Sequence, residues 1–312
     1  MKAVQISQYG GPEVLKLNDN IAEPTLKENQ VLIEIHAASI NPFDSFILAG
    51  YVKDMIKSPF PFTMGGDFSG IIKKVSEGVT DFKADDEVYG TAIILSGGSG
   101  AFAEFASVNP ERMALKPKNI DFVQAASLPL VGSSAVQTLE DEIKLRPKQK
   151  ILIHGGAGGI GSIAIQLAKY LGAYVATTVS EKDKDFAKNL GADEIIDYKV
   201  EKFEEILKDF DAVFDTIGGD VMERSFKILK KGGVIVSMKG QPSPELASQY
   251  GVTGIAINTK TNTVHLSRVR ELVEKNIIKP QVDKVFPLDQ TKEAFTYKMQ
   301  NHPRGKVVIK IK

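Results

Sequence analysis

The chain has 312 residues, 43 % hydrophobic and 25 % charged, with 39 basic side chains matching 39 acidic ones for a formal net charge of zero. That length exceeds the ~250–300 residues at which one core stops growing, so two domains are expected, and the balanced charge lacks the positive excess that draws nucleic acid or anionic membrane. Cysteine is absent, which excludes disulfides, thiolate nucleophiles and cysteine-ligated zinc, and no run of about 18 apolar residues is present, so the expectation is a soluble, cytoplasmic protein with neither nucleic acid nor membrane as partner.

From residue 1 to about 117, short strand-like runs such as QVLIEIHAASI and FSGIIKKVSEGV are broken by Pro and Gly clusters and by GGSG at 97–100. This is the texture of a β-rich domain with irregular loops. Beyond about 121 the pattern alternates: KILIH, AYVATTV, DEIIDY, DAVFDTI and GGVIVSM are strand-like, with a helical stretch after each of the first four. Such alternation predicts parallel β-α-β units. After about 255 comes one helical stretch, HLSRVRELVEKN, and the chain closes on the strand-like KVVIKIK. The reading therefore assigns an α/β protein with a β-rich domain over 1–120, completed by 255–312, and a doubly wound parallel-sheet domain over 121–254.

Between KILIH and the helix stands HGGAGGIG, five glycines in eight positions. Gly156, Gly158 and Gly161 fit G-x-G-x-x-G, and Ile160, Ile163, Ala164, Leu167, Ala168 and Leu171 follow at the spacing of one buried helical stripe. In this context the glycines allow a tight turn, close approach of a pyrophosphate and close helix–strand packing, while the helix N-terminus offers N–H groups to the phosphates. Ala157, Gly159 and Ile160 belong to the same cofactor-binding turn. A tight turn without ligand is the plain alternative, and the strand before and helix after weigh against it.

The end of the second strand reads TTVSEKDK. An Asp or Glu there accepts from the ribose of NAD, whereas a 2′-phosphate wants hydroxyls and cations. Thr177, Thr178, Ser180, Lys182 and Lys184 favour NADPH, with Glu181 dissenting and a solvated helix start as the alternative for the lysines.

The stretches INPFDSFILAG, MGGDFSG, GAFAEFASV, AASLPLVGSSA, HGGAGGIGSIAIQLAK, NLGADEIIDY, FDTIGGD, LKKGGVIVSM and RGKVVIKIK resemble, in the same order, the zinc-independent quinone oxidoreductase branch of the medium-chain dehydrogenase/reductase superfamily. The resemblance implies a GroES-like domain with a Rossmann NADP-binding domain inserted and the active cleft between them. It also implies a homodimer. Gly65, Gly66 and Asp67 stand where zinc-dependent relatives carry Gly-His-Glu, and their catalytic cysteine has no counterpart, so no metal site is expected. His36, His154, His265 and His302 are scattered, and the plain role of His154 is to close the first Rossmann strand.

Catalysis is then expected to rest on placing the nicotinamide against a conjugated carbonyl, a quinone or enone, without metal. By resemblance Asn41 lies near the nicotinamide and its amide can donate to the developing oxyanion, a loop-capping asparagine being the alternative. Asp44 braces that loop. Tyr51 is near a tyrosine position of some relatives, though off by one, and Phe46 replaces another tyrosine, which leaves water as the proton source. Ser134, Tyr198, Gly218 and Lys306 are carried over as cofactor contacts, with a basic residue opening an edge strand as the alternative for Lys306. The loop YVKDMIKSPFPFTM suggests an apolar acceptor. Two other readings stay open: a zinc-free alcohol or aldehyde reductase, and a non-enzymatic dinucleotide-binding protein of the same fold.

Overall fold

A computed structural model describes residues 1–56 and 58–312; Lys57, within YVKDMIKSPFPFTM, lies outside them. In chain order the strands are β1 (Ala3–Ile6), β2 (Lys16–Asn18), β3 (Val31–Ser39), β4 (Phe62–Thr63), β5 (Asp67–Val75), β6 (Glu87–Thr91), β7 (Phe105–Val108), β8 (Met113–Leu115), β9 (Lys150–His154), β10 (Tyr174–Val179), β11 (Glu194–Asp197), β12 (Phe210–Asp215), β13 (Leu229–Ser237), β14 (Thr253–Ala256), β15 (Val282–Pro287) and β16 (Lys306–Lys310). The helices are α1 (Pro42–Leu48), α2 (Phe122–Ala126), α3 (Pro129–Val136), α4 (Gly159–Tyr170), α5 (Lys184–Asn189), α6 (Phe203–Ile206), α7 (Asp220–Ser225), α8 (Pro244–Tyr250), α9 (Thr263–Glu274) and α10 (Thr291–Asn301).

Two compact units result. One comprises Met1–Ser133, Thr261–Lys275 and Pro280–Lys312; the other comprises Ser134–Lys260 and Asn276–Lys279. These limits differ from those read in the sequence for a packing reason. Ala126 of α2 is buried with Ala37 of β3 and Val308 of β16, which ties α2 to the β-rich unit. β14, which extends past residue 254, pairs in parallel with β13.

The β-rich unit is built on the sheet β15-β16-β3-β5-β6-β8, with β7 also on β3, and on a three-stranded sheet β2-β1-β4. Fully buried Ile33, Ile35, Phe68, Phe102 and Phe295 anchor its core. β16 lies between β15 and β3, antiparallel to β3 with Val308 opposite Ser39, while Asp67 pairs with Ser39 from the other side. The C-terminal strand and β5 thus deliver their first residues to the end of β3.

The second unit is a six-stranded sheet of order β11-β10-β9-β12-β13-β14, parallel throughout. Its order reverses between β9 and β12, the switch point whose strand ends form a ligand crevice in open α/β sheets. α4 buries Ile163, Ala164, Leu167 and Ala168 as the periodicity predicts, each large aliphatic side chain contributing about 1.5–3 kcal/mol. Leu171 closes the helix, its N–H bonding Leu167 O at 2.9 Å, and Gly172 follows at φ +81°, a conformation glycine adopts without steric cost.

Candidate active site

In the β-rich unit the turn from β3 into α1 assembles a buried charged cluster. Asn41 is the N-cap of α1 and Pro42 opens the helix, where its missing N–H is no loss. Asp44 Oδ2 accepts the Asn41 N–H at 2.7 Å, and the Asp44 N–H bonds the Asn41 carbonyl at 3.1 Å. Lys306 Nζ donates to Ile40 O at 2.9 Å and to Asn41 Oδ1, and lies 4.0 Å from Asp67 Oδ2. Asp67 Oδ2 also accepts the Leu130 N–H at 3.2 Å, and the Asn41 side chain helps hold its pKa down. Asn41, Asp44, Asp67 and Lys306 are each at most 5 % exposed.

Such burial penalises every charged form. It pushes the Asp44 carboxyl up to about 7, with the Asn41 N–H bond opposing the rise and Asp67 adding to it. Asp67 is likewise raised by burial while Lys306 holds it down. Lys306 falls to about 8 through burial, against the pull of both carboxylates. Two carboxylates around one ammonium carry a surplus negative charge, and protonation of one carboxyl removes it.

The structure thus brings Asn41, Asp44 and Lys306 together and adds Asp67, which sequence reasoning treated only as a replaced zinc-site residue. One alternative is ruled out. β16 has a neighbour on each side, so Lys306 does not open an edge strand, and its ammonium is spent on Asn41 and Ile40 in the β-rich unit. Tyr51 stands apart from the cluster, 79 % exposed, with its ring edge-to-face on Phe46 at 5.9 Å.

In the parallel-sheet unit the glycine run forms the turn from β9 into α4. Gly155 sits at φ +72°, and its carbonyl accepts the Gly158 N–H at 3.0 Å. The glycines have separate reasons. A Cβ on Gly156 would lie 2.2 Å from Thr177 Oγ1, and one on Gly161 would lie 2.2 Å from Gly155 O, so both let the turn close on itself. A Cβ on Gly158 would meet only Gly155 O, at 3.3 Å, a tight contact that a small shift relieves, unlike the 2.2 Å clashes at Gly156 and Gly161. Gly158 is the N-cap of α4 and brings no side-chain cap, so the first-turn N–H groups at Gly159, Ile160 and Gly161 have no intrahelical acceptor. An open approach over uncapped N–H groups fits a dinucleotide pyrophosphate.

The other carried-over positions spread around this unit. Thr178 is buried, and its hydroxyl bonds His154 Nδ1 at 3.0 Å and the Gly155 N–H at 3.3 Å. Thr177 donates to Ile153 O at 2.7 Å. Ser180 Oγ donates to Asp183 Oδ2 at 2.6 Å. Lys184 pairs with Glu181 at 2.8 Å and lies 3.7 Å from Glu201, with Lys182 two positions before it. Ser134 shares a 2.7 Å hydrogen bond with Thr259. Tyr198 is 59 % exposed. The Gly218 N–H is held by the Asp215 carboxylate at 2.9 Å, and a Cβ there would lie 2.5 Å from Lys239 Cβ.

Residues 27–118 match the family described as Alcohol dehydrogenase GroES-like domain, and residues 190–309 the family described as Zinc-binding dehydrogenase. The NADPH-dependent alkenal/one oxidoreductase of Arabidopsis thaliana chloroplasts is 38 % identical over 99 % of this chain and 79 % of its own. The solved quinone oxidoreductase of Coxiella burnetii superposes with a TM-score of 0.92 at 35 % identity, covering 100 % of this chain and 99 % of that one. This chain belongs to the quinone oxidoreductase branch of the medium-chain dehydrogenase/reductase superfamily. Another solved structure, an Escherichia coli quinone oxidoreductase complexed with NADPH, superposes over the full length of both chains with a TM-score of 0.86 at 27 % identity. In this quinone oxidoreductase-branch chain, no group of three or more His, Cys, Asp or Glu side chains among the described residues is placed to hold a metal ion. Lys306 faces Asp67 at the position where Gly65-Gly66-Asp67 replaces Gly-His-Glu. Only the resemblance of MGGDFSG marked Asp67 in the sequence, because nothing local reveals a partner more than 200 positions away.

Proposed function

We propose that this protein is an NADPH-dependent reductase of quinones and α,β-unsaturated carbonyls that works without metal. The observation that carries the reading is the glycine turn: Gly158 brings no side chain over the uncapped first-turn N–H groups of α4, and packing forbids a Cβ there less strictly than at Gly156 or Gly161. The 38 % identity to an NADPH-dependent alkenal/one oxidoreductase supports the same cofactor and acceptor class. Gly156 to Gly161 would hold the pyrophosphate, Ser180, Lys182 and Lys184 would meet the 2′-phosphate, and Ser134, Tyr198 and Gly218 would flank the rest. NADPH, when bound, supplies the hydride.

Asn41 is the residue proposed nearest the acceptor oxygen. Its amide oxygen is fixed by Lys306, which gives the amide NH2 a set direction from which to stabilise developing negative charge. Asp44 holds the Asn41 backbone and so positions that amide. Water supplies the proton to the α-carbon, and exposed Tyr51 rims the acceptor side. A homodimer in the cytoplasm completes the proposal; the lack of cysteine suits a reducing compartment.

Fluorescence titration with NADPH, followed by steady-state NADPH oxidation with quinones, enals and saturated aldehydes, tests the reading. Turnover with quinones or enals and none with saturated aldehydes is expected. Turnover with saturated aldehydes alone would make the protein an alcohol or aldehyde reductase, and tight binding without turnover a non-enzymatic dinucleotide protein.

A further inference from the structure

Beneath the glycine turn runs a chain of hydrogen bonds whose direction is determined. Ser225 Oγ donates to Val221 O at 2.7 Å, which commits its only hydrogen. The 2.9 Å contact between Ser225 Oγ and His154 Nε2 therefore has the ring nitrogen as donor, and Nδ1 is the bare nitrogen. Thr178 Oγ1, 3.0 Å from Nδ1, must then donate to it. The remaining lone pairs of Thr178 Oγ1 accept the Gly155 N–H at 3.3 Å. The ring is buried, edge-to-face on Phe203 at 4.8 Å, and burial pushes its pKa down to about 4, so the neutral tautomer persists at ordinary assay pH.

Gly155 is where this chain meets the site. Its carbonyl holds the Gly158 N–H at 3.0 Å, and it leaves no room for a Cβ on Gly161. The placement of Gly155 therefore sets both the N-cap and the first turn of α4. We propose that Thr178 and His154 are positioning residues of the glycine turn: they fix Gly155 from beneath and so set dinucleotide affinity without touching the ligand. The proposal rests on the reading of that turn as the pyrophosphate site. The competing view is that the chain only stabilises the sheet–α7 packing, and the two ends of the chain separate these views.

Thr178→Val removes the hydroxyl at equal volume while sparing the backbone bond from the Gly156 N–H to Thr178 O at 3.2 Å. Ser225→Ala breaks the far end. Each leaves one imidazole nitrogen unpaired, so both should lower Tm to a similar extent. Only Thr178→Val should raise Kd for NADPH in fluorescence titration, by about five- to tenfold, with KM for NADPH rising in step and more than kcat falls. Ser225→Ala should stay within about twofold. His154→Asn places an amide oxygen near the Nδ1 position and should keep affinity near that of the wild type, whereas His154→Gln reaches only the Nε2 side and should behave like Thr178→Val. An equal or greater loss of affinity in Ser225→Ala, or no loss in Thr178→Val, overturns the proposal. The wild-type titration is run first, because absence of NADPH binding there would refute the pyrophosphate reading itself, and the proposal with it.

Discussion

Replacing Asp44 by Asn removes a charge from the buried cluster while keeping an oxygen to accept the Asn41 N–H. In the wild type the Asp44 carboxyl stands at about 7, against 3.8 for a solvent-exposed aspartate, so the folded state holds this proton more tightly than the unfolded chain does. The stability that goes with the bound proton is complete below about pH 4 and is lost as pH rises through 7. Between pH 5 and pH 8 those two values correspond to a loss of about 3 kcal/mol from this group. Lys306, lowered to about 8 from 10.5, recovers stability only as pH rises above 8, so it adds little slope in the same window. Urea denaturation of wild type and Asp44→Asn at pH 5, 6, 7 and 8 reads the effect directly. The unfolding free energy of the variant should gain on the wild type with rising pH, by about 3 kcal/mol across the window. Parallel pH profiles would refute the reasoning, since Asp44 would then titrate as an ordinary surface carboxylate.

Three further outcomes follow from the structure. Gly158→Ala should leave Tm within about 2 °C, because its Cβ meets only Gly155 O at 3.3 Å, yet weaken NADPH at least about tenfold; Gly161→Ala, facing a 2.2 Å clash with Gly155 O, should lose both, as thermal melts and titrations would show. Glu181→Gln should increase the preference for NADPH over NADH several-fold, because it frees Lys184 from a 2.8 Å ion pair for a phosphate, and the gain should shrink as salt is raised in the titration. Turnover should survive dialysis against chelator, and metal analysis of the purified protein should find no stoichiometric zinc.

What could be read from the sequence was what repeats locally. Alternating strands and helices and the buried stripe of α4 follow from periods of two and 3.6, and the glycine turn follows from residues adjacent in the chain. β14 escaped because Thr253–Ala256 is short and contains Gly254, too little for a strand pattern. Direction escaped as well: in a parallel sheet covered on both faces, Thr177 and Thr178 are both buried, so hydroxyls that looked free are committed inside. Lys184 is paired more heavily than its neighbourhood suggests, because Glu201, from beyond the next strand, joins the local Glu181. The buried cluster was the least legible. Asn41 and Asp44 are neighbours in sequence, but Lys306 lies 265 positions from Asn41, and only the antiparallel pairing of β16 with β3 brings it to the site.

The most direct test of the central claim follows the hydrogen itself. NADPH deuterated at C4 is supplied with a small enone, and the product is examined by NMR and mass spectrometry, with a parallel run in deuterated water. The account predicts a saturated ketone carrying one cofactor-derived deuterium on the β-carbon, with the solvent run labelling the α-carbon. Deuterium on the carbonyl carbon of an alcohol product, or no transfer from bound cofactor, would contradict it.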